Sequence, residues 1–108
     1  MMIRNLLLVL VTISLSFSAV QAQEMSWRKY RKLAEQLEEE GDYFAAAENY
    51  RAAWEQKQSK EEYIYKAADI FYRLNDYRNA ADAYQHVPAN FNDDQLVLLK
   101  YARALKRD

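Results

Sequence analysis

The stretch Gly41-Asp42-Tyr43-Phe44-Ala45-Ala46 recurs 34 residues later as Asn75-Asp76-Tyr77-Arg78-Asn79-Ala80. Each copy places a residue that tolerates left-handed backbone directly before an aspartate that can cap a helix. The same register pairs further positions on both sides of the two copies: Leu33-Ala34 with Ala67-Ala68, Leu37 with Phe71, Tyr50 with Tyr84, and Ala53 with Val87. A 34-residue period with a turn between two amphipathic helices predicts a helical repeat array.

Composition limits the chain to one small, mostly helical domain. It has 108 residues with one glycine, one proline and no cysteine. Such a chain favours helices over turns and strands. The formal net charge of −1 argues against nucleic acid as a partner, because no basic excess exists to neutralise phosphates. Without cysteine the sequence has neither disulfides nor thiolate metal sites.

The first 22 residues have the layout of a secretory signal peptide. Arg4 is the only charge before Glu24, and residues 6–20 form an apolar run that leads to small residues ending at Ala22. We expect cleavage after Ala22, so that the protein contacts the membrane only through its signal peptide and only until cleavage. An uncleaved anchor is the alternative, although fifteen helical residues span about 22 Å and a hydrocarbon core is about 30 Å thick.

Residues 26–58 form the first predicted repeat. Its helices are expected near Trp27–Glu40 and Tyr43–Lys57, the first with apolar residues at spacings of three and four. Ser26 is predicted to cap the first helix and Asp42 the second.

Residues 59–92 form the second predicted repeat, and 93–108 the first helix of an incomplete third. Ser59 and Glu62 have the spacing of a capping box. The helices are expected near Lys60–Leu74, Tyr77–Val87 and Asp93–Lys106. Pro88 should end the second of these, and Asn92 or Asp93 should cap the third.

Small residues mark where paired helices should cross. Two helices that pack within about 8–10 Å need small side chains at the crossing. The spacing therefore predicts that Ala34 meets Ala46 and that Ala68 meets Ala80. Aromatic side chains should fill the space between pairs, with Tyr50 and Trp54 against Phe71, and Tyr84 against Tyr101.

Over Ser26 to Asp108 these residues resemble the tetratricopeptide repeat (TPR) family. The family's first-helix pattern matches Tyr30, Leu33, Ala34 and Leu37, then Ile64, Ala67, Ala68 and Phe71. Its turn glycine falls on Gly41 and Asn75, its alanine on Ala46 and Ala80, and its second-helix aromatic on Tyr50 and Tyr84. The family's inter-repeat proline is missing, since Gln58 and Asn92 stand there. The resemblance implies an all-α helix-turn-helix solenoid.

The resemblance also implies a protein-interaction scaffold whose first helices line a concave groove for a peptide or protein domain. The groove positions that it implies are Arg28, Arg31, Glu35, Tyr65, Asp69, Tyr72, Leu99 and Arg103. The family's carboxylate clamp is absent, because Glu35 and Asp69 stand where asparagine or a cation would be needed. The alternative interpretation of these charges is a solvated helix face.

An exported TPR segment is similar to the N-terminal region of larger bacterial envelope proteins. Some of these continue into a β-propeller and an OmpA-like peptidoglycan-binding domain, notably in the secretion and gliding machinery of the Bacteroidetes. The layout implies an exported protein of the periplasm or cell envelope, with association with the outer membrane left open.

The sequence offers no set of residues for catalysis or for a cofactor. His86 is the only histidine, and one imidazole cannot hold a metal by itself. Ser59 has no base assigned to it, and consecutive glutamates at 38–40 point in different directions on a helix. A Gly-rich phosphate loop is missing. We therefore expect neither an enzyme nor a binder of metals, cofactors or small-molecule substrates.

The repeat register predicts that the last helix needs a cover. Adding one period to Asn75 places the next turn residue one position beyond Asp108. The chain is expected to be part of a longer array or to need a partner, and self-association through the last helix is an open alternative. The alternative function is a structural N-terminal fragment whose repeats only stack on later repeats.

Overall fold

The computed structural model describes residues 25–89 and 91–108, in which every regular element is helical. The predicted signal peptide, residues 1–22, lies outside the described residues. The helices are α1 (Trp27–Glu39), α2 (Tyr43–Gln56), α3 (Glu61–Arg73), α4 (Tyr77–Tyr84) and α5 (Val97–Arg107), with a short 3-10 turn at Phe91–Asp93. The predicted all-α class is confirmed for this part of the chain, and five helices packed in sequence are compatible with a helical repeat fold.

The helices form two layers. Each helix packs principally on the next one in the chain. Further contacts join alternate helices: α1 touches α3 through the Trp27 and Tyr63 rings, and α3 touches α5 through Asp69 and Lys100. In the other layer, Arg51 of α2 donates a hydrogen bond to α4. The first, third and fifth helices therefore lie side by side, and α2 and α4 form the opposite layer.

The two 34-spaced turns have the same hydrogen bonds. Gly41 and Asn75 both have positive φ, at 84° and 62°. In the first turn the Asp42 amide donates to the carbonyl of Leu37, and in the second the Asp76 amide donates to that of the equivalent Phe71, each at 2.9 Å. This is the Schellman arrangement that closes a helix on a left-handed residue. The carboxylates of Asp42 and Asp76 then cap the following helices, as predicted.

Alanines occupy the centre of the core. The four alanines predicted at the crossings are completely buried: Ala34, Ala46, Ala68 and Ala80. Small side chains let the helices approach closely, and the larger Tyr50, Phe71 and Tyr84 fill the remaining volume.

The ring contacts differ from those that spacing suggested. Tyr50 stacks on Tyr63 with centroids 6.3 Å apart, and Trp54 lies 4.8 Å from the His86 ring. Phe71 has the edge of Phe44 as its ring neighbour. Spacing identifies which rings turn inward, but the rotamers and the helix rotation decide which rings meet.

One predicted cap is wrong and one predicted helix starts late. The capping box at Ser59 does not form, because α3 begins after Lys60 without a side-chain cap. The last helix begins at Val97, four residues later than expected. It follows a 3-10 turn at Phe91–Asp93, in which Asn92 has a left-handed φ of 54°, and a hydrogen bond from the Leu96 amide to the Asp94 side chain.

The helix before this connector is shorter than predicted. It ends at Tyr84, three residues before the expected end at Val87. None of the helices in the described ranges combines the length and the apolar character that crossing a bilayer requires.

Candidate functional site

The candidate site is the outward surface of α1, α3 and α5, here named the first-helix face. The sequence analysis assigned eight side chains to it: Arg28, Arg31, Glu35, Tyr65, Asp69, Tyr72, Leu99 and Arg103. Arg28, Glu35, Leu99 and Arg103 are exposed, and the other four are half-buried. The structure therefore leaves part of the predicted set accessible and uses the rest in contacts within the fold.

A first polar cluster joins α1, α2 and α3. The Tyr50 hydroxyl of α2 donates to Glu38 Oε1 of α1 at 2.7 Å. From the next unit, Lys66 places its ammonium 5.2 Å from the centroid of the Tyr50 ring, a distance suited to a cation–π contact. The cluster thus connects both helices of one pair to the first helix of the next.

A second cluster has the same plan one repeat later. The Tyr84 hydroxyl of α4 donates to Asp69 Oδ1 of α3 at 2.8 Å. Lys100 of α5 donates to the same oxygen at 3.0 Å, with about a quarter of each of the two charged side chains exposed. Charge-assisted hydrogen bonds of this kind are stronger than neutral ones, particularly when water is partly excluded.

The two clusters follow the 34-residue register. The tyrosines are equivalent, and Lys66 and Lys100 occupy the position that Lys32 holds in the first unit. In each cluster the lysine of one unit approaches the tyrosine–carboxylate pair of the preceding unit. Lys32 has no preceding unit among the described residues and is exposed. We infer that these lysines fix each new unit on the one before it.

Burial and a neighbouring carboxylate raise the pKa of both Tyr50 and Tyr84. Desolvation is the largest cause that raises the pKa of Tyr50, followed by its hydrogen bond to Glu38. Desolvation likewise raises the pKa of Tyr84, followed by the hydrogen bond to Asp69. Each hydroxyl therefore acts as a donor, since the phenolate would be both desolvated and next to a negative charge.

Tyr65 is used to hold the connector before α5. Its hydroxyl donates to Asp94 Oδ2 at 2.7 Å, and its ring lies 5.1 Å from that of Phe91. The hydrogen bond to Asp94 is the main reason that the pKa of Tyr65 is raised to about 12. The same bond is the main reason that the pKa of Asp94 is lowered.

Tyr72 also packs inside the fold. Its ring meets the rings of Tyr77 and Tyr84 edge to face, at 5.8 and 6.2 Å. In the first unit, Arg31 lies 3.6 Å from Glu35 one turn away, and Arg28 lies over the Trp27 ring. These contacts lie within single helices or neighbouring ones, and Glu35 and Arg28 remain exposed.

A cleft runs between α1 and α3 on the first-helix face. It has a volume of about 150 Å³ and is lined by Glu38, Tyr65, Lys66, Asp69, Ile70 and Arg73. Both charge signs and a tyrosine converge on it, which suits a polar segment of a partner better than an apolar one.

The α5 end of the face is apolar and basic. Leu96 and Leu99 are exposed, and Arg103 and Lys106 follow at helical spacing on the same side. The first-helix face thus changes from mixed charge at α1, through tyrosines at α3, to leucine and cations at α5.

Several site residues were missed from the sequence, among them Lys66, Arg73, Lys100 and Asp94. The lysines carried a signal, because Lys32, Lys66 and Lys100 recur at the repeat period. Asp94 carried none, since its contact with Tyr65 depends on the path of the irregular connector.

Neither a protein-family model, nor a curated protein, nor a solved structure matches this chain. The resemblance to the TPR family therefore rests on the internal repeat of the sequence, and the five helices are compatible with a helical repeat fold. In the described part of the chain no three His, Cys, Asp or Glu side chains are grouped closely enough to hold a metal ion.

Proposed function

We propose that this chain is an exported TPR-type scaffold that binds a peptide or protein domain on its first-helix face. The observation that carries the proposal is the direct contact between alternate helices. Because α1 touches α3 and α3 touches α5, their outward side chains form one continuous surface across three units. A stack of repeats creates such an extended binding surface, which the TPR family uses as a concave groove.

The chemistry of the face suits a partner that is extended and amphipathic. The cleft beside Lys66 and Arg73 offers cations and carboxylates, and the exposed Leu96 and Leu99 offer an apolar surface. Polar pairs across such an interface set its register, and apolar anchors supply most of the affinity. The fixed Tyr65, Asp69 and Tyr72 would shape the surface, while Arg28, Leu99 and Arg103 would touch the partner.

Site-specific photo-crosslinking tests this function in cells. A benzophenone amino acid is placed at Leu99 on the face, and in a matched variant at the exposed Glu55 of α2, on the opposite layer. We expect discrete adducts from position 99 that disappear when Arg73→Glu is added at the exposed rim of the cleft, and no equivalent adducts from position 55. Equal adduct patterns from both positions would reject a dedicated face.

The second candidate is a structural segment whose helices only stack on further repeats. The polar clusters favour it, because Asp69, Tyr84 and Lys100 are occupied with holding units together. Under this alternative, position 99 gives no intermolecular adduct. Export itself is measured by the mass of the periplasmic chain, which begins at Gln23 if the signal peptide is removed.

A further inference from the structure

One end of the first repeat is rich in cations. They lie in the first two turns of α1 and in the connector between α2 and α3: Arg28, Lys29, Arg31, Lys32, Lys57 and Lys60. The two segments meet at Trp27, because the Lys60 ammonium lies 5.5 Å from the centroid of its ring. The guanidinium carbon of Arg28 lies 4.5 Å from the same ring. These six cations around Trp27 are here named the basic end.

The excess of cations is confined to the first of the two full repeats. Residues 26–32 and 55–62 hold the six cations against three acids. The equivalent segments one period later, residues 60–66 and 89–96, hold two cations against four acids. At the positions of Arg28 and Lys60 the second repeat has Glu62 and Asp94. Because both repeats form the same pair of helices, the helical fold does not require the cations.

The cations also oppose the dipole of α1. A helix N-terminus carries a partial positive charge, which carboxylates stabilise and cations destabilise. The first turn of α1 has no acid and contains Arg28 and Lys29, whereas the first turn of α3 has the favourable pair Glu61 and Glu62. The stability of α1 therefore does not explain its basic residues, which leaves a role in binding.

The basic end is accessible to a partner. Four of its six cations are exposed: Arg28, Lys29, Lys32 and Lys57. Among the ion pairs of the described residues, one includes a member of the basic end, Arg31 with Glu35. Stacking on Trp27 uses the face of the Arg28 guanidinium and leaves its N–H donors for other groups.

The position of the basic end in the chain points to a membrane surface. The apolar run 6–20 of the predicted signal peptide comes shortly before Trp27. During export this end of the folded domain is therefore the part closest to the bilayer. Anionic lipids attract clusters of Lys and Arg, and the half-buried Trp27 adds an amphipathic ring of the kind that membrane interfaces favour.

We propose that the basic end binds the headgroups of an anionic phospholipid bilayer and holds the exported protein at the membrane surface after the signal peptide is removed. The far end of α1 carries Glu38, Glu39 and Glu40, which such a surface repels. The first repeat therefore stands with the start of α1 towards the lipid. The proposal rests on the export proposed above, but not on the partner of the first-helix face.

Vesicle binding tests the proposal. The protein is expressed with its own N-terminus in an exporting bacterial host and purified, and its mass is checked for removal of residues 1–22. Co-sedimentation measures its partition onto vesicles of phosphatidylcholine alone and onto vesicles with an equal amount of phosphatidylglycerol. We expect binding to the anionic vesicles only. Because the cations are exposed, this binding should weaken as salt is raised.

Matched double variants locate the binding. Lys29→Gln with Lys57→Gln removes two exposed cations that lie outside the first-helix face. Each cation near an anionic surface raises affinity about fivefold, so this variant should bind at least about tenfold more weakly. Arg78→Gln with Lys106→Gln removes the same charge from exposed positions in the first turn of α4 and the last turn of α5, at the opposite end. That variant should bind as the parent does.

Three results would overturn the proposal. Equal binding to both kinds of vesicle would show that apolar insertion carries the interaction. An equal loss in the two double variants would show that only the total charge matters. Absence of binding to anionic vesicles would exclude a lipid target, and binding to polyglutamate instead would identify an acidic protein surface as the partner. None of these results alters the photo-crosslinking expected at position 99, so the two proposals fail separately.

Discussion

At the scale of single residues, two tyrosine hydroxyls in an alanine-rich core each donate a hydrogen bond to a carboxylate. Tyr50 and Tyr84 reach from the second helix of each pair to a carboxylate on the first, at 2.7 and 2.8 Å. A buried hydroxyl without a partner would cost more than the bond contributes, so the carboxylate is required wherever this tyrosine is used. Glu38 and Asp69 do this from different register positions, which shows that the donor is repeated more strictly than the acceptor.

The hydroxyl of Tyr84 should make the fold sensitive to alkali. Its pKa is raised above the ordinary value of 10.0, so the folded state holds the proton more tightly than the unfolded chain. The stabilisation is complete below that value and is lost as the pH rises from there towards the folded-state pKa. Tyr84→Phe should cost about 1 kcal/mol at neutral pH. Melting temperatures between pH 8 and 11 should show the gap to the parent protein narrowing above pH 10, and a constant gap would contradict this account.

Tyr65→Phe should change the titration of Asp94. The Tyr65 hydroxyl is the main reason that the pKa of this carboxyl is lowered, so its removal should return the pKa towards the ordinary value. Carbon-detected NMR of the carboxyl group during an acid titration measures the change. Tyr43→Phe, at an exposed site on α2, serves as the control and should leave the Asp94 titration as it is.

At the scale of the helical element, left-handed residues set where each pair turns. The backbone at Gly41 has a φ of 84°, and a Cβ there would meet no atom within 4 Å. Its requirement for glycine is therefore conformational and not steric crowding by neighbours. Asn75 adopts the same region, since its short polar side chain tolerates left-handed backbone better than most residues do.

Substitutions at Gly41 should follow backbone preference alone. Gly41→Ala should lower stability by about 1 kcal/mol, because alanine gains no contact to offset the strain of positive φ. Gly41→Asn should cost less, since the chain already uses asparagine at the equivalent turn. Urea denaturation of the two variants gives the comparison, and an equal loss for both would show that the glycine has another role.

At the scale of the whole molecule, contacts between helices of consecutive units hold the repeats together. Stability in a repeat fold is approximately a sum of unit terms and interface terms. The lysines at one register position supply part of the interface term, through the contacts of Lys66 with Tyr50 and of Lys100 with Asp69. A substitution at one interface should therefore increase local unfolding mainly in the helices that meet at that interface.

Lys100→Met tests this cohesion while keeping the apolar stem of the side chain. We expect amide hydrogen exchange in α5 to accelerate, by up to about fivefold for a pair of this exposure, with α1 unchanged. Lys32→Met is the matched control, because Lys32 has the same register position and is exposed. Faster exchange throughout all five helices would indicate a single cooperative unit and contradict the interface account.

The residues themselves determined the period, the turns, the helical class and the burial of the four alanines. These features are local: the positive φ of Gly41 and Asn75, the aspartate caps and the apolar spacing depend on neighbours within one or two turns. Export, partner binding and location in the envelope remain predictions from the sequence.

Only the tertiary structure decided which side chains meet across helices. The resemblance to the TPR family implied an open face for Asp69 and Tyr65, whereas packing directs them towards Tyr84, Lys100 and Asp94. The helix α5 begins only at Val97, after an irregular connector that Tyr65 holds through Asp94. Helix rotation, rotamers and the path of an irregular connector depend on the whole packing, and no local sequence pattern encodes them.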